Sequence, residues 1–366
     1  VRDRVGKEAP AGGGQLRRAG VRVVMVTGDA RETAVAIARE SGIFCEGEGT
    51  VLGGDELAAL TDEELSERLG HLAVVYRALP GDKSRLVRAA QMRGLVAGLA
   101  GVGGDDAPSL KLADVGFAMG SGTDIAREAG DIVILDDNIA SIARTVLYGR
   151  TIFKSIRKFI TFQLTMNLCA VGVSLFGQFI GIESPVTILQ MLWVNIIMDT
   201  LGGLAFAGEP PLAMYMREKP KKREERILSG AMVHQIAVTG SYTLGVCAWY
   251  LASPTTAQIF HRDTSEVYFL TLFFALFIFC GIANCFAARS ERMNLFSSIG
   301  RNKPFMFIMS FILCVQLAML YFGGELFRTV PPSAGDLALV ALLAMTVLPV
   351  DFIRRCFFRL HHREDR

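Results

Sequence analysis

The chain has 366 residues, of which 51% are hydrophobic and 20% are charged, and its formal net charge is +2. Soluble globular chains are about a quarter charged, and here the long apolar runs are concentrated after residue 150. This composition excludes a purely soluble enzyme, a disordered chain and a disulfide-stapled secreted domain. The small net charge gives no reason to expect a nucleic-acid partner.

Residues 20–136 alternate short β-branched segments with helical patterns. We predict strands at 22–26, 74–79, 95–100, 115–119 and 132–135, and helices at 32–41 and 82–92. This alternation is typical of a parallel sheet with crossover helices, an α/β domain. Such sheets bind ligands at the carboxyl ends of their strands. Two polar turns follow predicted strands there: Thr27, Gly28 and Asp29, and the glycine-rich turn 101–106.

Six apolar segments follow, each long enough to cross a hydrocarbon core of about 30 Å. They lie at 159–180, 186–206, 232–252, 267–288, 305–323 and 335–353. The sequence therefore predicts two regions, a cytoplasmic α/β domain over 1–150 and an α-helical transmembrane domain of six spans over 151–366.

Basic residues predict the orientation of these spans. Of the 20 Lys and Arg residues after position 150, 18 lie in the zones 154–158, 217–226, 289–303 and 354–366. The other two, Arg262 and Arg328, lie in the intervening connections. The positive-inside rule then places residues 1–150, the basic zones and the C-terminus in the cytoplasm.

Within the apolar segments, the polar residues are the most informative about function. Gln163 and Asn167 lie four residues apart on the first segment, and Asn195 and Asp199 lie four apart on the second, so each pair shares a helix face. A carboxylate inside a membrane helix is costly unless it is paired, hydrated or bound to a cation. Carboxylate and amide oxygens suit a hard cation. The alternative is a hydrogen bond between helices, which we favour for Asn284.

Each motif of the first region has an ordinary alternative explanation when it is taken singly. A plain turn would explain Thr27, Gly28 and Asp29, and it would also explain the acidic segment 101–106. Lys83 could be a solvated surface lysine. Their order and spacing along one chain are more specific than any one of them.

In combination these motifs resemble those of P-type ATPases, specifically the calcium-translocating pumps of the plasma-membrane type. The resemblance rests on residues 24–38 (VMVTGDARETAVAIA), 81–85 (GDKSR), 104–120 (GDDAPSLKLADVGFAMG), 122–135, 149–167 (GRTIFKSIRKFITFQLTMN), 191–211 (MLWVNIIMDTLGGLAFAGEPP) and 302–305 (NKPF). It covers essentially the whole chain and implies the C-terminal part of such a pump.

For residues 1–150 the resemblance implies the distal part of a phosphorylation domain with a haloacid-dehalogenase-like fold. In that fold an aspartate takes the γ-phosphoryl group of ATP. The resemblance gives catalytic roles to Thr27, Gly28 and Asp29, with the Thr27 hydroxyl bonding the phosphoryl oxygens, and to Lys83, which offsets their charge. These are positioning and electrostatic roles.

The family also holds Mg²⁺ in the turn at 101–106, where this chain has Asp105 and Asp106. Val102 stands in place of the family's Mg²⁺-holding Asp, and Asp105 in place of an Asn, so we predict a degenerate magnesium site. We also expect the glycine-rich segment 6–14 to break a helix that the family has, since each glycine costs about 1 kcal/mol relative to alanine. Both features indicate a truncated, decaying copy.

For the membrane region the resemblance implies the last six of ten spans. Asn167, Asn195 and Asp199 fall where the family has Ca²⁺ ligands. Ala170 and Met198 stand where two-site calcium pumps carry Glu and Thr. Neither offers a hard oxygen ligand from its side chain, so we predict one Ca²⁺ per cycle.

We therefore predict the C-terminal fragment of an ATP-driven calcium pump, a multi-pass protein in the lipid bilayer of the cell membrane. ATP and Mg²⁺ would be used by the complete pump. The phosphorylated aspartate, the nucleotide-binding and actuator domains and the first four spans are absent, so we expect no activity without this missing N-terminal part. Two alternatives stay open: a non-catalytic membrane remnant or assembly module, and a pump for another cation.

Overall fold

The computed structural model describes residues 8–45, 47, 49–182, 184–289 and 302–361. The chain divides into two compact units. The first is Val1–Thr151 with Pro211–Arg226, and the second is Ile152–Pro210 with Ile227–Arg366. Most of the basic zone 289–303 and the end of the zone 354–366 lie outside the described residues.

The first unit alternates strands and helices. Its strands are β1 (Met25–Val26), β2 (Thr50–Gly53), β3 (Leu72–Tyr76), β4 (Gly98–Gly101), β5 (Val115–Met119) and β6 (Ile132–Ile134). Its helices are α1 (Ala9–Arg18), α2 (Arg31–Glu40), α3 (Gly54–Ala59), α4 (Asp62–Arg68), α5 (Pro80–Met92), α6 (Ala107–Leu112) and α7 (Asp124–Ala129). The predicted α/β alternation is present, and every described strand pair is parallel.

The strands form two sheets instead of the one that the alternation predicted. Their orders are β1-β3-β2 and β4-β5-β6. In the first sheet Met25 pairs with Val74, and in the second Gly98 pairs with Val115. β1 and β4 are edge strands that pair with no common neighbour among the described residues. The turns that carry the candidate catalytic and Mg²⁺ residues therefore both follow edge strands.

Helices cover both faces of the first sheet. Val74 and Val75 of β3 are fully buried and point to opposite faces, because side chains alternate along a strand. Val74 lies in one apolar cluster with Ala34 and Ala38 of α2. Val75 lies in another with Leu65. A strand buried on both faces is typical of a parallel sheet.

The expectation that the glycine-rich segment breaks a helix is wrong for the part that the structure describes. α1 continues through the three consecutive glycines of that segment, Gly12, Gly13 and Gly14. A Cβ atom on Gly12 would lie 2.7 Å from the backbone nitrogen of Ala140. Close packing that only glycine permits at this point therefore offsets the low helix propensity. Gly6 and Lys7 of the segment lie outside the described residues.

The second unit is helical. Its elements are α8 (Ile139–Phe179, which begins in the first unit), α9 (Ile188–Val194), α10 (Gly202–Ala207), α11 (Gly230–Ala252), α12 (Pro254–Ile259), α13 (Glu266–Arg289), α14 (Lys303–Phe322), α15 (Gly324–Phe327), α16 (Ala334–Met345) and α17 (Val347–His361). A π-helical segment, Asn195–Leu201, joins α9 to α10.

Within the described residues, five helical stretches are long and apolar enough to cross a membrane. They are Ile139–Phe179, Ile188–Ala207, Glu266–Arg289, Lys303–Phe322 and Ala334–Phe358. They coincide with five of the six predicted segments. α11 coincides with the remaining one and has 23 residues, enough for about 34 Å. It carries polar residues such as His234, Gln235 and Thr239, and it is not among the five.

α13 forms the core of the second unit. From Phe269 to Arg289 every side chain except that of Phe286 is buried. Tyr250 of α11 stacks on Phe269, with 4.7 Å between the ring centroids, and donates a hydrogen bond to its carbonyl. A helix that is apolar on all sides is one that other helices surround.

Candidate functional site

Three of the candidate catalytic residues of the first unit lie at the carboxyl end of β1, and the fourth, Lys83, lies at the start of α5. Thr27, Gly28 and Asp29 follow β1 directly. The Thr27 hydroxyl donates to Asp29 Oδ2 at 2.9 Å and accepts from the Asp29 backbone N–H at 3.2 Å. This turn is therefore held in shape by its own side chains.

Lys83 and Asp106 are brought together although they are 23 residues apart. Lys83 lies in the first turn of α5, and its Nζ is 2.5 Å from Asp106 Oδ1. Asp106 Oδ2 accepts the backbone N–H groups of Val102 and Gly103 at 3.1 and 3.3 Å. Burial would raise the pKa of Asp106, but the Lys83 ammonium and the two backbone donors outweigh it and hold this pKa below its ordinary value.

The turn at 101–106 does not fit a magnesium ion. Both oxygens of Asp106 are engaged, Asp105 is exposed, and Val102 presents an isopropyl group that is 52% exposed. Mg²⁺ requires hard oxygen ligands in near-octahedral geometry. In the described part of the chain, no group of three or more His, Cys, Asp or Glu side chains could hold a metal ion. No hydrogen bond between described residues joins Thr27 or Asp29 to Lys83 or Asp106.

The candidate ion ligands of the second unit lie in or beside the π-helical segment. Asn195 is its first residue, and Asp199 lies one turn further on. π-helical hydrogen bonds run from residue i to i+5. Such segments are rare in proteins overall, but those that occur often lie at functional sites. The hydrophobic pattern did not predict this segment. Gly202 and Gly203, which directly follow it, were its only sequence signal, because adjacent glycines weaken a helix.

Close packing brings α8 against this segment. A Cβ atom on Gly202 would lie 3.3 Å from the Phe162 ring, and one on Gly203 would lie 3.5 Å from the Phe159 ring. Next to Phe162, the Gln163 side chain lies within reach of the Asp199 carboxylate. Sequence reasoning placed Gln163 on the same face as Asn167 but did not include it among the ligands.

Asn167 and Asn195 lie one turn away from Gln163 and Asp199 on their own helices. Both asparagine side chains are exposed. Neither is hydrogen-bonded to Asp199 among the described residues. In this structure Gln163 is the residue beside Asp199. The convergence of all three predicted ligands on one ion stays a prediction.

Asn284 has a structural partner. Its side-chain amide donates to the Thr243 hydroxyl at 3.1 Å and so links α13 to α11. The expectation of a hydrogen bond between helices at this residue is confirmed. Met198 is buried, and a Cβ atom on Gly281 would lie 2.6 Å from its methyl group. The Met198 side chain therefore packs against α13.

Two other carboxylates buried in the second unit are paired with cations. Asp351 is fully buried, and its oxygens accept from Arg354 at 2.8 Å and Arg355 at 2.5 Å. Glu209 forms an ion pair with Lys158, and Arg289 Nε lies 3.7 Å from its other oxygen. Sequence reasoning missed both groups. The partners of Glu209 lie on helices that are distant in sequence. The arginines that pair with Asp351 lie near a helix end, where basic residues predict only the orientation of the span in the membrane.

Comparison with known proteins gives a family match. Residues 183–357 match the family described as "Cation transporting ATPase, C-terminus". The chain is 35% identical over 343 residues to calcium-transporting ATPase 12, plasma membrane-type, of Arabidopsis thaliana, covering 92% of the chain and 33% of that protein. It is 36% identical over 346 residues to the probable calcium-transporting ATPase 6, plasma membrane-type, of Oryza sativa subsp. japonica, covering 91% and 34%.

A yeast relative is similar over nearly the whole chain. The chain is 34% identical over 361 residues to calcium-transporting ATPase 2 of Schizosaccharomyces pombe, covering 97% of the chain and 28% of that protein. The chain thus spans about a third of the length of the curated relatives it matches. Its apolar helices make it an integral, multi-pass membrane protein. The resemblance is therefore confirmed: the chain belongs to the P-type ATPases, as a C-terminal part similar to that of the plasma-membrane-type calcium pumps.

Proposed function

We propose that this chain provides the ion-binding membrane helices and part of the phosphorylation domain of an ATP-driven calcium pump. The main support for this proposal is the environment of Asp199. Asp199 is a carboxylate inside a membrane helix, and no cationic side chain pairs with it among the described residues. Asp351 and Glu209, by contrast, have arginine or lysine partners. An unpaired carboxylate at membrane depth is expected to bind a cation.

The proposed ion is Ca²⁺, one per cycle. Calcium takes oxygen ligands at about 2.3–2.6 Å, and the Asp199 carboxylate with the amide oxygens of Asn167 and Asn195 would supply them. Ala170 and Met198 add no hard oxygen. The buried Met198 side chain also fills the space towards Gly281 with a thioether. These features support one ion.

In the first unit we propose that Thr27 and Lys83 act on the phosphoryl group that ATP donates to the pump. The Thr27 hydroxyl would donate to a phosphoryl oxygen. The Lys83 ammonium, which is paired with Asp106 in this structure, would offset the negative charge of the phosphoryl group. Because the turn at 101–106 does not fit Mg²⁺, we propose that phosphoryl transfer is weakened in this chain.

Binding of ⁴⁵Ca²⁺ to the purified chain in lipid nanodiscs tests the function. We expect saturable binding of one ion per chain, lost in Asp199→Asn, with little competition from Mg²⁺. A membrane assembly module without an ion site would bind no calcium. A pump for another cation would bind that cation in preference to calcium.

We also propose that the protein lies in the cell membrane with six spans, α11 included, and with both chain ends in the cytoplasm. Its partners would be lipid and the rest of the pump. Cysteine labelling tests this topology, after exposed Cys45 and Cys314 are changed to serine. Arg328→Cys should react with an impermeant reagent from outside, and Lys222→Cys should not. The reverse pattern would contradict the topology.

A further inference from the structure

We propose that Gln163 is a further oxygen ligand of the cation site at Asp199, with its Oε1 atom binding the ion directly. This inference rests on the proposed function and deepens the same site. It assigns to α8 a ligand one turn before Asn167.

The unpartnered oxygen of the Gln163 amide carries the inference. Gln163 lies beside the Asp199 carboxylate. Its Oε1 atom is buried and has no hydrogen-bond partner among the described residues. A buried acceptor without a donor is costly. A cation at this position would satisfy Oε1 and the Asp199 carboxylate together.

A second glutamine of the same unit shows what a structural role looks like. Gln190 is buried, and its Oε1 accepts the backbone N–H of Thr187 at 2.9 Å. Its Nε2 donates to the carbonyl of Phe327 at 2.8 Å. Both ends of Gln190 are therefore satisfied within the protein. Gln163 differs because its Oε1 atom has no hydrogen-bond partner among the described residues.

Packing alone does not explain an amide at position 163. Its neighbour Phe162 is 1% exposed and lies in the apolar core of the unit. A leucine or methionine of similar volume would fill the space at position 163 without a buried oxygen that lacks a partner. Calcium sites commonly include neutral amide oxygens, because Ca²⁺ takes six to eight oxygen ligands. Gln163 would add one such oxygen without adding charge.

Direct binding to the chain in lipid nanodiscs tests the proposal. The readouts are ⁴⁵Ca²⁺ binding and the luminescence of Tb³⁺, an oxygen-seeking calcium substitute excited through Trp193, two residues before Asn195. The variants are Gln163→Leu, which removes the oxygen and keeps the volume, and Gln163→Glu, which keeps an oxygen and removes the N–H donor. Gln316→Leu is the matched control, because Gln316 is a buried glutamine of the same unit.

We expect Gln163→Leu to weaken calcium binding by about 10- to 100-fold, as changes at groups around a metal commonly do. Gln163→Glu should bind at least as tightly as the unaltered chain, since added ligand charge tightens calcium sites. The control should not change binding. Luminescence lifetimes in H₂O and D₂O should show one more bound water in Gln163→Leu and no additional water in Gln163→Glu.

Two results would overturn the proposal. Unchanged binding in Gln163→Leu means that Oε1 is not a ligand. Equal losses in Gln163→Leu and Gln163→Glu mean that the N–H donor, and hence only the positioning of Asp199, matters. If Gln163→Leu does not fold, the lifetime comparison of Gln163→Glu with the unaltered chain decides. Unchanged binding in Asp199→Asn would contradict the proposed function itself, separately from the result at Gln163.

Discussion

The candidate carboxylates of the two units differ in what surrounds them. Asp106 of the first unit has the Lys83 ammonium on one oxygen and two backbone N–H donors on the other. Asp199 of the second unit has the Gln163 amide beside it and no cationic partner among the described residues. A carboxylate whose oxygens are engaged has little to offer an ion, whereas an unpaired one is stabilised by it. The family resemblance assigned a metal to both, and we propose a metal only at Asp199.

The largest expected effect comes from making the same substitution at a paired and an unpaired carboxylate. Asp351→Asn removes the carboxylate that pairs with two buried arginines and should destabilise the second unit by about 3–5 kcal/mol. Asp199→Asn removes a charge that no cation balances, so it should leave stability unchanged or raise it. Thermal unfolding in detergent without calcium, followed by tryptophan emission, measures both. Equal destabilisation would mean that Asp199 is structural.

The next effect concerns Val102 and catalysis. Replacing the corresponding third of a plasma-membrane-type calcium pump with this chain should give very slow phosphoenzyme formation. The double variant Val102→Asp with Asp105→Asn should restore the rate by about a hundredfold or more, since a bound metal contributes several kcal/mol to the transition state. The readout is Mg²⁺-dependent labelling by [γ-³²P]ATP. Normal turnover with Val102 in place would contradict the degenerate-site interpretation.

A smaller effect concerns the pH dependence of the Asp106 contacts. The pKa of Asp106 is lowered in the folded chain, so its contribution to stability is present above the ordinary value near 3.8 and is lost as pH falls through the folded value. In Lys83→Met, burial acts on the Asp106 carboxylate with less opposition, and the loss of stability should begin at a higher pH.

Hydrogen exchange at the Val102 and Gly103 amides measures this effect, because both donate to Asp106. Protection should be compared with the intrinsic exchange rate at each pH. Lys221→Met is the control, because it removes a lysine whose ion pair with Glu225 does not involve Asp106. An unshifted profile in Lys83→Met would show that Lys83 does not set the pKa of Asp106.

The smallest effect is expected at Asp105. Its side chain is exposed, so Asp105→Ala should change the free energy of unfolding by no more than about 0.5 kcal/mol. It should also leave the Mg²⁺ response of the chain unchanged. A loss of Mg²⁺-dependent thermal stabilisation in Asp105→Ala would show that Asp105 is a metal ligand after all.

Periodicity predicted the elements whose patterns are strong. α2 and α5 lie within a few residues of their predicted positions, and Gly42 after α2 has the positive φ of +70° expected of a helix end. β2 was missed because Thr50–Gly53 is short and ends in a glycine. β1 is shorter than predicted, because only Met25 and Val26 pair with β3. Local patterns therefore predicted which elements exist better than how they pair.

The sites were predictable in part and for different reasons. The Lys83–Asp106 contact joins residues far apart in sequence, and only the family resemblance linked them. The π-helical segment at Asn195 leaves the hydrophobic pattern unchanged, so no periodicity reveals it. The central place of α13 was also hidden, because all membrane spans are apolar whether they face lipid or protein. Gln163 needed the structure, since its free oxygen is a property of packing.

The account depends most on a cation at Asp199, and cryo-electron microscopy of the chain in lipid nanodiscs, with and without calcium, tests it most directly. With calcium we expect added density between α8 and the π-helical segment. It should lie about 2.3–2.6 Å from the oxygens of Asp199, Gln163 and at least one of Asn167 and Asn195. Density elsewhere, or an Asp199 side chain directed away from α8 with no added density, would contradict the account.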